Sequence, residues 1–370
     1  MNAQELMTRA IDAGASDLHL NPGRPPVGRV DGKLVPLVEE ELTDTQAASL
    51  CRELCDDKHW AELESVGTTD IGLAHPSGTR FRVSCMVQRG RHTAILRLIP
   101  NTLLTFDQLG LPDSVQELLR RPRGLILVTG PTGSGKSTTL ATMIDWINGS
   151  SDRHIVTIED PIEFYHSHKQ GLVTQREVGS DVPDFVEAMR RVLRQDPDVI
   201  LVGELRDLET IEAAISAAET GHVVFGTLHT NSAQGTVNRI IDAFPGNLQD
   251  QIRTQLSTTL IGVLAQTLLP KISGGRCAAY ETLVVTPGVA NLIRENKTFR
   301  INSAIQTGAK FGMNLMDDSL FNHWVEERVS MEDVLGKSQD PDSLAKRIAN
   351  ARRAILEDQE EEEEEFEPGQ

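Results

Sequence analysis

The sequence predicts an α/β protein whose larger domain is built on a mostly parallel sheet. After Gly124, short continuous apolar runs alternate with segments of helical periodicity. Continuous apolar runs are typical of strands buried on both faces, and a helix between two of them is the connection that parallel strands require. The runs that predict these strands are 125–128, 155–158, 199–202 and 223–226.

A smaller α+β domain is predicted ahead of this sheet. Two of its segments, 79–84 and 93–99, alternate apolar and polar residues with period two, which indicates half-buried strands. The segment 42–64 has a helical pattern with Thr43 or Asp44 as its N-terminal cap. Beyond about residue 245 the patterns are mainly helical. The predicted division is a first domain over 1–100, a linker over 101–112, a core over 113–270, a helical C-terminal subdomain over 271–356 and a tail over 357–370.

The predicted tail carries half of the net charge. The chain has 370 residues and a formal net charge of −18. Nine acidic residues lie within 357–367, and no Lys or Arg follows Arg353. We therefore expect 357–370 to be a disordered acidic tail. Because an acidic protein repels a polyphosphate, nucleic acid is not an expected partner.

Several other classes of protein are not expected. No apolar run approaches the roughly 18 residues of a membrane span. The N-terminus lacks the basic start and apolar stretch of a signal peptide, so we expect a cytoplasmic protein. A four-cysteine zinc site is not expected, because no two cysteines form a Cys-x-x-Cys pair. We expect buried free thiols at Cys51 and Cys55, which lie one helical turn apart.

One segment matches the phosphate-binding motif G-x-x-x-x-G-K-S in full. It follows an apolar strand and precedes a helical pattern, which is the context that the motif requires. Its glycines allow backbone N–H groups to converge on phosphate oxygens, and the helix N-terminus adds partial positive charge. We expect Lys136 to reach the β- and γ-phosphates of ATP and the Ser137 hydroxyl to bind Mg²⁺. The predicted nucleotide-binding residues are Gly130, Pro131, Thr132, Gly133, Ser134, Gly135, Lys136, Ser137 and Thr138.

Carboxylates follow two of the predicted strands. Phosphoryl transfer needs a carboxylate near the metal and a group that orients or deprotonates water, and such groups lie at the carboxyl ends of parallel strands. Glu204 follows the run 199–202, which is a Walker B arrangement that places it near Mg²⁺. Glu159, Asp160 and Glu163 follow the run 155–158, and spacing alone does not show which of these is catalytic.

Two histidines and a set of arginines have both a structural and a catalytic interpretation. His222 and His229 bracket one predicted strand, which argues against a site with both as metal ligands. Each is either a structural group or a sensor of the γ-phosphate. Alternation places Arg80 and Arg82 on one strand face, either as a solvated basic surface or as arginine fingers. Arg97, in the next strand, has the same two interpretations.

In these residues the chain resembles the type II/IV secretion ATPase superfamily and, within it, the retraction (PilT-type) ATPases of twitching motility. The resemblance extends from Ala15 to about residue 320. Four blocks in order carry it, which makes it specific. They are the Walker A motif 130–137, the "Asp box" 158–164, the Walker B motif 196–204 and the "His box" 218–230.

The resemblance implies a hexameric ring of chains, each with a PAS-like N-terminal domain and a RecA-like ATPase domain, with ATP between the two. By position, Glu163 matches the general base and Glu204 the Walker B acid near Mg²⁺. His222 and His229 match the histidines of the family. Arg82 and Arg97 match N-terminal arginines that contact the phosphates.

The resemblance also implies a function and partners. It predicts a motor that powers type IV pilus retraction, placed peripherally at the inner face of the inner membrane on a platform protein, with a paralogous retraction ATPase as a further candidate partner.

Extension members commonly carry a four-cysteine zinc motif and a longer N-terminal region, and neither is present here. The retraction signature Ala-Ile-Arg-Asn-Leu-Ile-Arg-Glu is matched only from Asn291, because its first three positions are Gly288, Val289 and Ala290 here, with Ala290 in place of the arginine. An accessory (PilU-type) retraction ATPase therefore remains an alternative. The others are an extension or type II secretion ATPase, a nucleic-acid motor and a non-hydrolysing subunit.

Overall fold

The computed structural model describes residues 2–30, 32–99 and 103–365, and within the last helix it describes side chains to residue 354. These residues form two compact units. Unit 1 contains Met1–Leu103, Glu159–Ser167 and Gln175–Asp181, and unit 2 contains Leu104–Ile158, His168–Thr174 and Val182–Gln370. The segment around residue 163 thus groups with the N-terminal part of the chain and not with the strand that precedes it.

The first sheet is antiparallel throughout and has the strand order β3-β2-β1-β6-β5-β4 in the part of the chain that the structure describes. The predicted strands 79–84 and 93–99 are confirmed as β5 and β6. The predicted helix 42–64 is two helices, of which the first begins at the capping box of Thr43 and Gln46. The elements are α1 Ala3–Asp12, β1 Asp17–Leu20, β2 Val27–Val30, β3 Lys33–Pro36, α2 Asp44–Leu54, α3 Asp57–Val66, β4 Thr68–Ala74, β5 Arg80–Gln88 and β6 Arg91–Ile99.

The core of unit 1 lies on one face of this sheet. In β5, Phe81, Val83 and Cys85 are fully buried on that face. Cys51 and Cys55 of the neighbouring helix are also buried, and all three cysteines are free thiols, as predicted. Burial raises the pKa of the Cys55 thiol to about 12, so it remains protonated at neutral pH.

The second sheet has the strand order β13-β12-β7-β11-β10-β8-β9. The runs predicted as buried strands are β7, β8, β10 and β11. These strands pair in parallel, with every residue of β7, β10 and β11 buried. The elements from residue 104 to this point are α4 Phe106–Leu109, α5 Asp113–Leu119, β7 Gly124–Thr129, α6 Lys136–Ser150, β8 His154–Glu159, β9 Leu172–Glu177, α7 Phe185–Val192, β10 Val199–Val202, α8 Leu208–Glu219 and β11 Val223–Leu228.

The chain after residue 245 is mainly helical, as expected, but it also contains two long strands that were not predicted. β12 (Leu260–Pro270) pairs in parallel with β7, and β13 (Arg276–Val284) pairs antiparallel with β12. A continuous apolar run does not distinguish a strand buried on both faces from a buried helix, and β12 is such a run. The helices on either side are α9 Ala233–Asp242, α10 Gln249–Thr259, α11 Pro287–Arg294, α12 Ile301–Gln306, α13 Met316–Val325, α14 Met331–Leu335 and α15 Pro341–Glu365.

The last helix extends into the predicted tail. Leu344 and Ile348 of α15 pack in a small core with α13 and α14. The helix continues to Glu365, and the expectation of a disordered tail over 357–370 stays a prediction. Glu has a high helix propensity, which favours continuation of a helix that packing has already started. The tail residues 366–370 lie outside the described part. Among the described residues, no helix has the length and apolar character of a membrane span.

Candidate active site

The phosphate-binding motif forms a loop between β7 and α6. Gly135 is the N-cap residue of α6, with a φ of 89°, and no side chain caps the helix. Gly135 therefore supplies no capping side chain to the first N–H groups of this 15-residue helix. Together with the helix dipole, such N–H groups form an anion site. The geometry fits the phosphates of a nucleotide.

A distant strand supports this loop. The buried side chain of Gln266, in β12, donates from Nε2 to the backbone oxygen of Ser134 at 2.6 Å. Gly130 has a φ of 144°, and a Cβ there would lie 2.2 Å from the Gln266 backbone oxygen. The sequence interpretation did not include Gln266, although a glutamine in an apolar run was a usable signal. Since β12 was expected to be helical, nothing placed Gln266 beside the loop.

In the loop, Lys136 contacts the backbone, whereas the hydroxyl groups of Ser137 and Thr138 differ in their exposure. Lys136 Nζ donates to the backbone oxygens of Gly130 at 2.8 Å and Pro131 at 3.2 Å, so the ammonium lies over the loop. Ser137 is exposed and Thr138 is half-buried at the start of α6. The exposed remainder of the predicted loop is Pro131, Thr132 and Gly133.

Glu204 lies just beyond the carboxyl end of β10 and has two partners. Its Oε1 is 3.1 Å from His229 Nε2, and its Oε2 is 2.8 Å from a guanidinium nitrogen of Arg206. Partial burial alone would raise the pKa of Glu204. The hydrogen bonds and charges of Arg206 and His229 outweigh burial and lower that pKa below its usual value. Glu204 is therefore an ionised carboxylate at neutral pH.

His222 and His229 lie at opposite ends of β11. His229 follows the carboxyl end, whereas His222 precedes the strand and its Nδ1 is 2.9 Å from the Ala217 backbone oxygen. A six-residue strand is about 20 Å long. The structure therefore brings His229 to Glu204 and does not bring His222 there. The observed contact of His222 is structural, at the end of α8.

Unit 1 holds the remaining predicted catalytic residues. Arg82 and Arg97 are direct cross-strand partners on β5 and β6, so they share one face of the sheet. Arg97 Nε donates to Asp17 Oδ1 at 2.9 Å. Burial would raise the pKa of Asp17, but the hydrogen bonds from Ser16 and Arg97 and the charge of Arg97 lower it. The pair fixes Arg97, and Arg82 is exposed beside it.

Glu163 belongs to the segment Glu159–Ser167 of unit 1, which we call the strap. Of the three acids that spacing could not separate, Asp160 is exposed, and Glu159 Oε1 accepts a hydrogen bond from Gln175 at 3.2 Å. Glu163 is half-buried. The structure thus gives Glu159 a contact with Gln175, while Glu159 and Glu163 are both half-buried carboxyl groups of the strap.

The oxygen donors of unit 2 fit a magnesium ion. Mg²⁺ prefers hard oxygen ligands and usually takes only one or two from the protein, with phosphates and waters supplying the others. The Ser137 hydroxyl and the Glu204 carboxylate are groups of this kind. In the described residues, no cluster of three or more His, Cys, Asp or Glu side chains could hold a metal without such outside ligands.

Comparison with known proteins identifies the family of this chain. Residues 2–278 match the sequence model of a family described as type II/IV secretion system protein. This chain belongs to that family. As a member of these secretion ATPases, it is an ATP-hydrolysing enzyme with an α/β fold.

Individual members of the family match nearly the whole chain. The type IV pilus retraction ATPase PilT of Pseudomonas aeruginosa is 46% identical over 93% of this chain and 100% of its own length. The type IV pilus ATPase PilU of the same organism is 35% identical over 93% of this chain and 90% of its own. A crystal structure of the pilus retraction motor PilT with bound ADP matches with a TM-score of 0.88 at 46% identity. That match covers 94% of this chain and 99% of the other.

Proposed function

We propose that this secretion ATPase is the motor that retracts type IV pili. The observation that carries the proposal is the extent of the likeness to a retraction ATPase. That likeness covers almost the whole chain and therefore includes unit 1 as well as the phosphate loop, which many unrelated ATPases share. An intact loop with Lys136 and an ionised Glu204 argues against a non-hydrolysing subunit.

In the proposed reaction, unit 2 binds the nucleotide. The N–H groups at the start of α6 and the ammonium of Lys136 hold the phosphates of ATP. The Ser137 hydroxyl and the Glu204 carboxylate hold Mg²⁺, either directly or through water. A magnesium ion at this place would neutralise charge that develops on the β- and γ-phosphate oxygens. His229 and Arg206 keep Glu204 ionised and fix its orientation.

Glu163, Arg82 and Arg97 are the groups that we assign to the attacking water and to the transferred phosphoryl group. Glu163 accepts a proton from the attacking water, and a half-buried carboxylate is suited to this task because it is partly shielded from solvent. Arg82 and Arg97 stabilise the negative charge of the transition state. Asp17 fixes the orientation of Arg97 through their hydrogen bond.

We further propose that the chain works as a homohexamer in the cytoplasm, at the inner face of the inner membrane. Its partner there is a pilus platform protein, on which the ring exerts force. The supporting observation is the likeness to whole retraction ATPases, since a ring is the assembly that the family resemblance implies. The net charge of −18 does not favour nucleic acid as the partner.

The test is the phenotype of a deletion strain that is complemented with wild type, Lys136→Ala or the matched control Lys33→Ala. Lys33 is an exposed lysine of β3 that is not part of the phosphate-binding motif. We expect over-piliated, non-twitching cells with the deletion and with Lys136→Ala, and normal cells with wild type and Lys33→Ala. Bald cells would instead identify an extension ATPase. Normal piliation together with DNA-stimulated hydrolysis would identify a nucleic-acid motor.

An accessory retraction ATPase is the second candidate. The observation that favours it is Ala290 in α11, where the retraction signature has arginine. The higher identity to PilT than to PilU favours the main motor. The same deletion strain separates them, because loss of the main motor abolishes retraction, whereas loss of an accessory motor leaves part of it.

A further inference from the structure

Arg80 is the most deeply buried arginine of the β5 and β6 pair, and it does not fit either interpretation of its sequence pattern. It is only 5% exposed, so it is neither part of a solvated basic surface nor an exposed arginine finger. Its Nε is buried and has no hydrogen-bond partner among the described residues. Burying an incompletely satisfied guanidinium costs stability. Stability alone therefore does not account for an arginine at this position.

The partners of Arg80 are in the strap. One terminal nitrogen of its guanidinium donates to the backbone oxygen of Ile162 at 2.7 Å. The guanidinium carbon also lies 3.6 Å from the ring centre of Tyr165, which is a close cation–π contact. Arg80 thus contacts the strap on both sides of Glu163. All of these residues belong to unit 1.

The backbone N–H of Ile162 is held as well as its carbonyl oxygen. The N–H of Ile162 donates to Glu177 Oε2 at 3.0 Å. Gln175 then holds the next part of the strap, since its Nε2 donates to the Phe164 oxygen at 2.8 Å and its Oε1 accepts from the His166 N–H at 2.8 Å. The backbone is therefore fixed at the residue before Glu163 and at the residue after it.

The sheet has a glycine, Gly72 in β4, where it lies against the Arg80 guanidinium and the Glu177 carboxylate. A Cβ on Gly72, in β4, would lie 3.2 Å from a guanidinium nitrogen of Arg80 and 3.5 Å from Glu177 Oε2. The absence of a side chain at Gly72 leaves space for both groups that hold Ile162. The arrangement thus involves three separate segments of unit 1, which makes it part of the fold and not a local turn.

We infer that Arg80 and Glu177 form a backbone clamp on Ile162 that positions the Glu163 carboxylate for proton transfer. This inference rests on the proposed role of Glu163 as the base. Arg80 is a positioning residue, and the arginines assigned to the phosphates are Arg82 and Arg97. Catalytic geometry is sensitive to small displacements, because an error of about 1 Å can cost about a hundredfold in rate. A strap that is not held at Ile162 would no longer fix the position of the carboxylate.

The test compares Arg80→Met with the matched control Arg91→Met in the full-length protein. Met keeps the length and apolar stem of Arg but has no donor, and Arg91 is an exposed arginine of β6 that pairs with Asp44. We expect Arg80→Met to lower kcat by about tenfold or more while ATP affinity stays within about twofold of wild type. Hydrogen exchange of the strap should rise in this variant. Arg91→Met should change neither quantity.

The double variant Arg80→Met/Glu163→Gln shows whether Arg80 acts through Glu163. If it does, the double variant hydrolyses ATP at the same rate as Glu163→Gln alone. Additive losses, or a loss of ATP affinity as large as the loss of kcat, would show that Arg80 acts on the phosphates and would overturn the clamp. If Arg80→Met does not fold, Glu177→Ala removes the other half of the clamp and must show the same loss of kcat with unchanged ATP affinity.

Failure of the clamp and failure of the proposed base give different results. If Glu163→Gln keeps wild-type turnover, the assignment of the base is wrong. If Glu163→Gln is inactive while Arg80→Met and Glu177→Ala both keep wild-type turnover, the base stands and the clamp is overturned.

Discussion

His229 Nε2 lies 3.1 Å from Glu204 Oε1, at the edge of the sheet where β10 and β11 end. Arg206 occupies the other oxygen of the same carboxylate at 2.8 Å. Glu204 is therefore held from both sides, and a held carboxylate presents its remaining lone pairs in a fixed direction. Partners of this kind commonly change metal affinity or activity by about 10- to 100-fold when they are removed.

We predict that His229→Leu raises the Mg²⁺ concentration needed for half-maximal ATP hydrolysis by about tenfold or more. Loss of the imidazole removes one of the groups that lower the pKa of Glu204, so the acid limb of the pH–rate profile should also move to higher pH. Titration of activity with Mg²⁺ at fixed ATP measures the first effect. The matched variant His229→Gln keeps a donor and should lie between Leu and wild type. An unchanged Mg²⁺ requirement in His229→Leu would show that the contact is only structural.

Substitution of the proposed base should separate binding from turnover. We predict that Glu163→Gln binds ATP normally but loses turnover by several orders of magnitude, because an amide cannot accept the proton of the attacking water. Equilibrium binding and steady-state hydrolysis measure the two properties. Asp160→Asn and Glu159→Gln are matched controls in the same strap, since one residue is exposed and the other contacts Gln175. Inactivity of either control with a fully active Glu163→Gln would move the base to that residue.

The parts of the site that are contiguous in sequence were predictable. The phosphate loop is local, because β7, the glycine-rich turn and α6 follow one another within one stretch of chain. Glu204 was predictable for the same reason, since it follows a short apolar run. Both predictions needed only the periodicity of the flanking elements and one motif.

The parts that depend on distant contacts were not predictable from one sequence. Alternation in β5 predicts that Arg80 and Arg82 share a face, but not that the strap, some 80 residues later in the chain, covers one of them and leaves the other exposed. Gln266 supports the loop from a strand that the apolar pattern could not distinguish from a helix. In each case the missing information was which segment covers the residue, and periodicity does not contain it.

Gly130 and Gly133 of the phosphate loop should differ in how well they tolerate substitution by alanine. A Cβ at Gly130 would overlap the Gln266 backbone oxygen at 2.2 Å, whereas a Cβ at Gly133 would have no atom within 4 Å. Both glycines have positive φ, so each substitution has a conformational cost of about 1–2 kcal/mol. We predict that Gly130→Ala is less stable than Gly133→Ala by a further 1–3 kcal/mol, roughly the cost of overpacking a rigid site. Denaturant unfolding without nucleotide measures the difference. Equal stability of the two variants would mean that β12 moves freely away from the loop.

Glu281, in β13, is a fully buried carboxyl group that connects the end of the His box to the C-terminal helices. Its Oε1 accepts from the Ala233 N–H at 2.7 Å, and its Oε2 accepts from Gln339 Nε2 at 3.2 Å. Burial raises the pKa of Glu281, and the hydrogen bonds only partly oppose this effect. The folded protein therefore binds a proton here at pH values where the unfolded chain has already released it.

Because of this bound proton, Glu281 makes the stability of the folded protein decrease as pH rises. Between the ordinary glutamate pKa of 4.5 and the raised pKa, the folded state binds more protons at Glu281 than the unfolded state, so this residue makes the free energy of unfolding fall as pH rises. Gln cannot titrate, so Glu281→Gln lacks this contribution. We predict that the stability of Glu281→Gln relative to wild type increases with pH across this window, by at most about 1.4 kcal/mol per pH unit. Denaturant unfolding of both proteins from pH 4.5 upward gives the difference at each pH and cancels the other titrating groups. A relative stability that stays constant or decreases with pH would show that Glu281 is ionised in the folded protein over the whole window.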